Sequence, residues 1–102
     1  MNFFVRLNSP RPTFAEDMTE PEKLAMKAHF AYWTELTLAG KVIVFGPVMT
    51  PQGAYGCGVV EVASREEIEE MVANDPAVLQ IAGFTPEIFP MLIGGERHHP
   101  IG

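Results

Sequence analysis

The sequence predicts an α+β fold, in which two main helices cover one face of a four-stranded antiparallel sheet. Three observations carry that expectation. The elements run strand, helix, strand, strand, helix, strand, the βαββαβ order of ferredoxin-like folds. The stretch from Thr19 to Gly40, TEPEKLAMKAHFAYWTELTLAG, repeats its inward residues at spacings of three and four. The strand candidates are apolar on both faces, whereas a sheet open to water on one side should turn polar at every second position. Two helices cover one face only, so the other is expected to meet a second copy. The result would be a homodimer of the dimeric α+β barrel type.

A chain of 102 residues is large enough for one domain with a real core. The domain is expected over residues 1–95, with 96–102 as a tail. Hydrophobic residues are 47% and charged residues 20%, as in ordinary globular chains. The net charge of −6, from 13 acids against 7 bases, argues against nucleic acid or an anionic membrane surface as the partner. No apolar run approaches the roughly 18 residues of a membrane span, and MNFFVRLNSP lacks the apolar core of a signal peptide. A single cysteine, Cys57, makes no internal disulfide and fits a reducing compartment. The expected location is cytoplasmic.

The first strand is Asn2 to Leu7, with Phe3, Val5 and Leu7 on one face. Ser9 to Met18 carries two prolines and reads as a long surface loop, a plain connection or a lid. The helix that follows opens on a capping box, Thr19 with Glu22, and closes at Gly40. Its inward face should carry Met26, His29, Phe30, Trp33, Leu36 and Thr37. Lys41 to Met49 is rich in β-branched residues, and Gly46-Pro47 within it marks a bulge or an edge. Thr50-Pro51-Gln52-Gly53 turns the chain into a returning strand, Ala54 to Val62, to make a hairpin. Gly56 and Gly58 strip one face of that strand, leaving room for a close approach or a ligand. Ser64 and Glu67 suggest a second capping box, ahead of a helix with Ile68, Met71 and Val72 inside. Asp75 then caps a short helix from Pro76 to Ala82, and Thr85 to Ile93 forms the last strand, marked as an edge by Pro86 and Pro90.

Few residues stand out chemically. His29 is an imidazole on an apolar helix face, either a satisfied interior histidine or a proton-transfer group. Asp75 is fully accounted for as an N-cap, yet a carboxylate has capacity left to orient His29. Cys57 reads as a small buried residue rather than a nucleophile. His98 and His99 lack the spacing of a metal site, and no phosphate loop or dinucleotide fingerprint occurs. The expectation is chemistry without cofactor or metal, on a small-molecule ligand.

Taken together, NFFVRL, RPTFAEDMT, AHFAYW, AGKVIVFGPV, YGCGVVEV, NDPAV and IFPML resemble, in order and spacing, the YciI-like (YCII-related) family over residues 2 to 93. The resemblance implies a ferredoxin-like fold, a dimer, and an architecture similar to muconolactone isomerase. It also implies an active-site pair, a histidine on the first long helix and an aspartate in the Asp-Pro turn, which match His29 and Asp75. Relatives include lyase- or isomerase-type enzymes acting on hydroxylated aromatic rings, dehydrochlorination among them. By placement, Trp33, Phe45 and Tyr55 are expected to line the substrate pocket, with Phe14 closing over it. The alternative is a non-catalytic dimer that binds a small ligand or serves as an accessory protein.

Overall fold

The structure, a computed structural model, describes residues 1–97. His98 and His99 lie outside the described residues. The elements are β1 (Asn2–Asn8), α1 (Phe14–Asp17), α2 (Glu20–Leu38), β2 (Val42–Thr50), β3 (Gly53–Glu61), α3 (Arg65–Ala73), α4 (Pro76–Gln80) and β4 (Thr85–Met91). The sheet order is β2-β3-β1-β4 with every pair antiparallel, a ferredoxin-like α+β fold. Among the described residues no helix is long and apolar enough to cross a membrane.

Strand β1 sits inside the sheet and alternates strictly. Phe3, Val5 and Leu7 are buried under the helices, and Phe4, Arg6 and Asn8 face the other way. The partner positions on β3 opposite the buried set are Val60, Gly58 and Gly56, so the helix-facing side of β3 is nearly bare beside the core. Helices α3 and α4 bury Ile68, Met71, Val72 and Ala77 on the same side. The open side carries Phe4, Val44, Val48, Val59 and Phe89, an apolar surface without a covering layer in the single chain.

Five local expectations need correction. The Ser9–Met18 loop contains a one-turn helix, Phe14–Asp17, closed by Glu16 and Asp17 amides on the Thr13 carbonyl. Strand β2 lies at the sheet edge, one of the two meanings of Gly46-Pro47, but its bulge falls between Val42 and Val44. It shifts the alternation, so Val42 and Phe45 face the helices while Val44 and Val48 lie on the open side. At α3, Ser64 does accept from the Glu67 amide, but the Glu67 carboxylate turns to the Ala63 amide and Lys41 instead of closing a box. Helix α4 ends at Gln80 and β4 at Met91, each two residues short of expectation. Finally, Phe30 is 62% exposed, because it lies at the rim of α2 against the edge of Phe45 rather than under the helix. The capping box at Thr19 forms as expected, and Gly40 takes φ +82° just past the helix.

Candidate functional site

Asp75 is the one polar or charged side chain fully buried among the described core residues, at 0% exposure. The Asn74-Asp75-Pro76 break puts it at the joint between α3 and α4, where Oδ1 accepts from the Ala77 amide at 2.8 Å and caps α4. The same carboxylate faces α2. His29 Nδ1 lies 2.8 Å from Oδ1 and 2.9 Å from Oδ2, and Trp33 Nε1 donates to Oδ2 at 2.7 Å. The i, i+4 spacing of His29 and Trp33 is what aims both rings at one point.

An ionised carboxylate only accepts, so each of its three neighbours must donate. His29 Nδ1 therefore carries a proton, and Nε2 has no hydrogen-bond partner among the described residues, on a side chain that borders a cavity. No buried side-chain nitrogen or oxygen lacks a partner among the described residues. Tyr32 adds a second layer: its hydroxyl donates to the Met71 carbonyl at 2.7 Å. Burial, and then the nearby Asp75 charge, push the phenol pKa up, so it stays a neutral donor. Burial likewise raises the Cys57 thiol, which keeps it out of the thiolate form a nucleophile needs.

The cavity beside His29 has a volume of about 340 Å³. Its helix wall is Met26, His29, Phe30 and Trp33, and its floor is the stripped stretch of β3 at Gly56 and Gly58. A Cβ on Gly58 would stand 3.0 Å from Trp33 Cζ3, so the bare position is what admits the indole. Trp33, Phe45, Tyr55 and Phe14 all border the space. Tyr55 does so from an unusual side, since its ring is on the open sheet face with the Arg6 guanidinium 4.0 Å from its centre. Phe14 is buried edge-on against Phe84, with centroids 5.3 Å apart.

The segment carrying Phe14 is fastened by Arg11. Its guanidinium bonds Asp17 Oδ1 at 2.8 Å and grips both Glu22 oxygens at 2.8 and 2.9 Å. That bidentate grip, with the Thr19 amide, holds the Glu22 carboxyl down at about 2. On the other side, Gly53 has φ +117° and its position has no room for a Cβ, which would meet the Pro12 carbonyl oxygen at 2.5 Å.

A family model for the YCII-related domain matches residues 2–91. The chain belongs to the YCII-related family. No curated protein matches the sequence of this YCII-related protein. Among solved structures it is similar to 5-chloro-2-hydroxyhydroquinone dehydrochlorinase (TftG) from Burkholderia phenoliruptrix AC1100, in complex with 2,5-dihydroxybenzoquinone. The two share 20% identity and a TM-score of 0.61, over 95% of this chain and 98% of that one, which is a likeness of fold.

Met26, expected on the inward face of the helix, borders the cavity of this YCII-related protein, as do Met18, Ser9 and Phe84, which the sequence did not single out. It gave no reason to choose them, since methionine and phenylalanine at such spacing read equally as core. The indole donor on Trp33 was a readable signal, because a buried Trp N–H ordinarily finds an acceptor. Among the described residues, no group of three or more His, Cys, Asp or Glu side chains is placed to hold a metal ion.

Proposed function

We propose that this YCII-related protein is an acid–base enzyme of lyase or isomerase type, acting on a small cyclic or aromatic substrate. The observation that carries this reading is the buried Asp75 carboxylate, which takes three donors and leaves His29 Nε2 beside the cavity. In the proposed step Nε2 takes a proton from a ring carbon or hydroxyl, and the imidazolium is stabilised by Asp75, hydrogen-bonded to Nδ1 at 2.8 Å. Returned to a different ring atom, that proton completes an isomerisation; in an elimination the electrons of the broken bond form a new double bond, the leaving group departs with its own electron pair, and the imidazolium gives the proton up to water. The structural likeness to a dehydrochlorinase supports the second form, since loss of HCl requires a proton to leave the substrate. Trp33, Phe45 and Phe14 form the binding surface in this reading, the Tyr55 ring lying on the opposite, open sheet face, and that apolar face is where a second copy packs.

The test is turnover on a panel of hydroxylated and halogenated rings. His29→Ala should lower kcat by about 10²–10⁴ while leaving the fold intact. Undiminished turnover in that variant would end the proposal. A His29→Gln variant that still binds a ligand as tightly as wild type, in a protein that turns nothing over, would favour a binding module instead. For the dimer, equilibrium sedimentation should give twice the chain mass at micromolar concentration, and a monomer there would remove the second copy from the account.

A further inference from the structure

We propose that the cavity beside His29 is built for an uncharged molecule about the size of two fused rings, with a single hydrogen-bonding group at the His29 end. The size and charge parts stand on the cavity wall alone, and the placement of the polar group rests on the proton-transfer reading of His29.

Charge is decided by what the wall lacks. It contains no lysine, arginine, aspartate or glutamate. The guanidinium in the adjoining segment, Arg11, is already neutralised by Asp17 and Glu22. Arg6 lies on the other side of the sheet over the Tyr55 ring. An entering carboxylate or phosphate would therefore shed its water without meeting a permanent cation, and the His29 ring is already turned to the Asp75 carboxylate. A cationic ligand fares no better, because Asp75 is buried behind His29 and already receives three donors.

Size follows from volume. A cavity of roughly 150 Å³ holds one benzene ring. The present one, at about 340 Å³, is more than twice that. One ring would leave a void or trapped water against Phe45 and Phe84, whereas two rings, or one with bulky apolar substituents, fill it.

Polar anchoring is sparse. His29 Nε2 has no partner among the described residues, and the Ser9 hydroxyl on the wall already donates toward the Ala54 and Arg11 carbonyls at 3.2 and 3.3 Å. A ligand decorated with several hydroxyls would bury most of them unmet.

Calorimetric titration with three matched probes tests this. 2-Naphthol has two fused rings, one O–H and no charge at neutral pH; 6-hydroxy-2-naphthoate adds a carboxylate; phenol removes a ring. On the wild-type protein, 2-naphthol should bind at least about tenfold tighter than the naphthoate. It should also bind at least about tenfold tighter than phenol. The same order should hold in His29→Gln, where proton transfer is lost, so that failure of catalysis and failure of this inference are separate results. Met26→Lys, which places an ammonium on the helix wall, should bring the naphthoate level with or ahead of the naphthol. Parity of the three probes on wild type, tighter binding of the naphthoate, or no detectable 2-naphthol binding at its solubility limit would each overturn the inference.

Discussion

Trp33 Nε1 donates to Asp75 Oδ2 at 2.7 Å, in a part of the core where both side chains are almost fully excluded from water. Through that bond the indole fixes the carboxylate that in turn faces His29. Replacing Trp33 with Phe keeps most of the packing and deletes the donor. Because the acceptor is a buried charge, the loss should cost about 1.5–3 kcal/mol of stability, read from urea unfolding. If Trp33 serves only the core, kcat relative to stability should not move. If it also positions Asp75, kcat should fall with little change in KM.

Asp75→Asn separates the cap from the orienting role. An asparagine oxygen can still accept from the Ala77 amide, so α4 should stay capped. Its amide group, however, brings N–H against donors, and the Nδ1–H form of His29 loses its reason to exist. We expect a fall of about 10²–10⁴ in kcat. Nitrogen NMR of the imidazole should show a shift away from the Nδ1–H tautomer. A variant with the wild-type tautomer and rate would show that Asp75 is a cap alone.

The sequence made the fold legible because its local signals agree: Thr19 with Glu22 opens α2, Phe3, Val5 and Leu7 alternate on β1, and Asp75-Pro76 starts α4. It could not show that the bulge near Ile43 would move Val42 and Val44 to opposite faces, because an extra residue in a β-branched run leaves the composition unchanged. The two residues of the candidate pair were each visible, one as a histidine out of place and one as a cap. Their meeting was not, because a 46-residue separation is closed only when α2 packs across the α3–α4 joint. Phe30 failed for a related reason: helical spacing gives a face, and the depth of that face depends on where the sheet ends.

Gly58 has a different dependence, on space. A methyl group there would stand 3.0 Å from Trp33 Cζ3, on an indole that is 2% exposed and tied through Nε1 to Asp75. Gly58→Ala should therefore destabilise by about 1–3 kcal/mol through overpacking. It should also tilt Trp33 away from Asp75, visible as a change in its fluorescence. Gly46→Ala is the contrast, since its added Cβ meets nothing within 4 Å, and its unfolding midpoint should shift by no more than about 0.5 kcal/mol equivalent.

The Arg11 clasp predicts an acid response. Glu22 has its carboxyl lowered from 4.5 to about 2, chiefly by the Arg11 hydrogen bonds, and Asp17 is lowered by its bonds to Thr13 and Arg11. A carboxyl whose folded value lies below its unfolded value adds its full stability where it is ionised in both states and none where it is protonated in both. That contribution is thus complete above pH 4.5 and is lost as the pH falls toward about 2. Asp17 is exposed and Glu22 partly buried, so added salt should weaken the effect, more at Asp17 than at Glu22. In Arg11→Met the dependence of melting temperature on pH over that window should flatten, though Glu67, lowered by Lys41, keeps some slope. The same variant should loosen the Phe14 segment, seen as faster amide exchange at residues 13–17 with the β1 amides unaffected. An unchanged acid slope in Arg11→Met would mean that the clasp, for all its short distances, does not hold the loop.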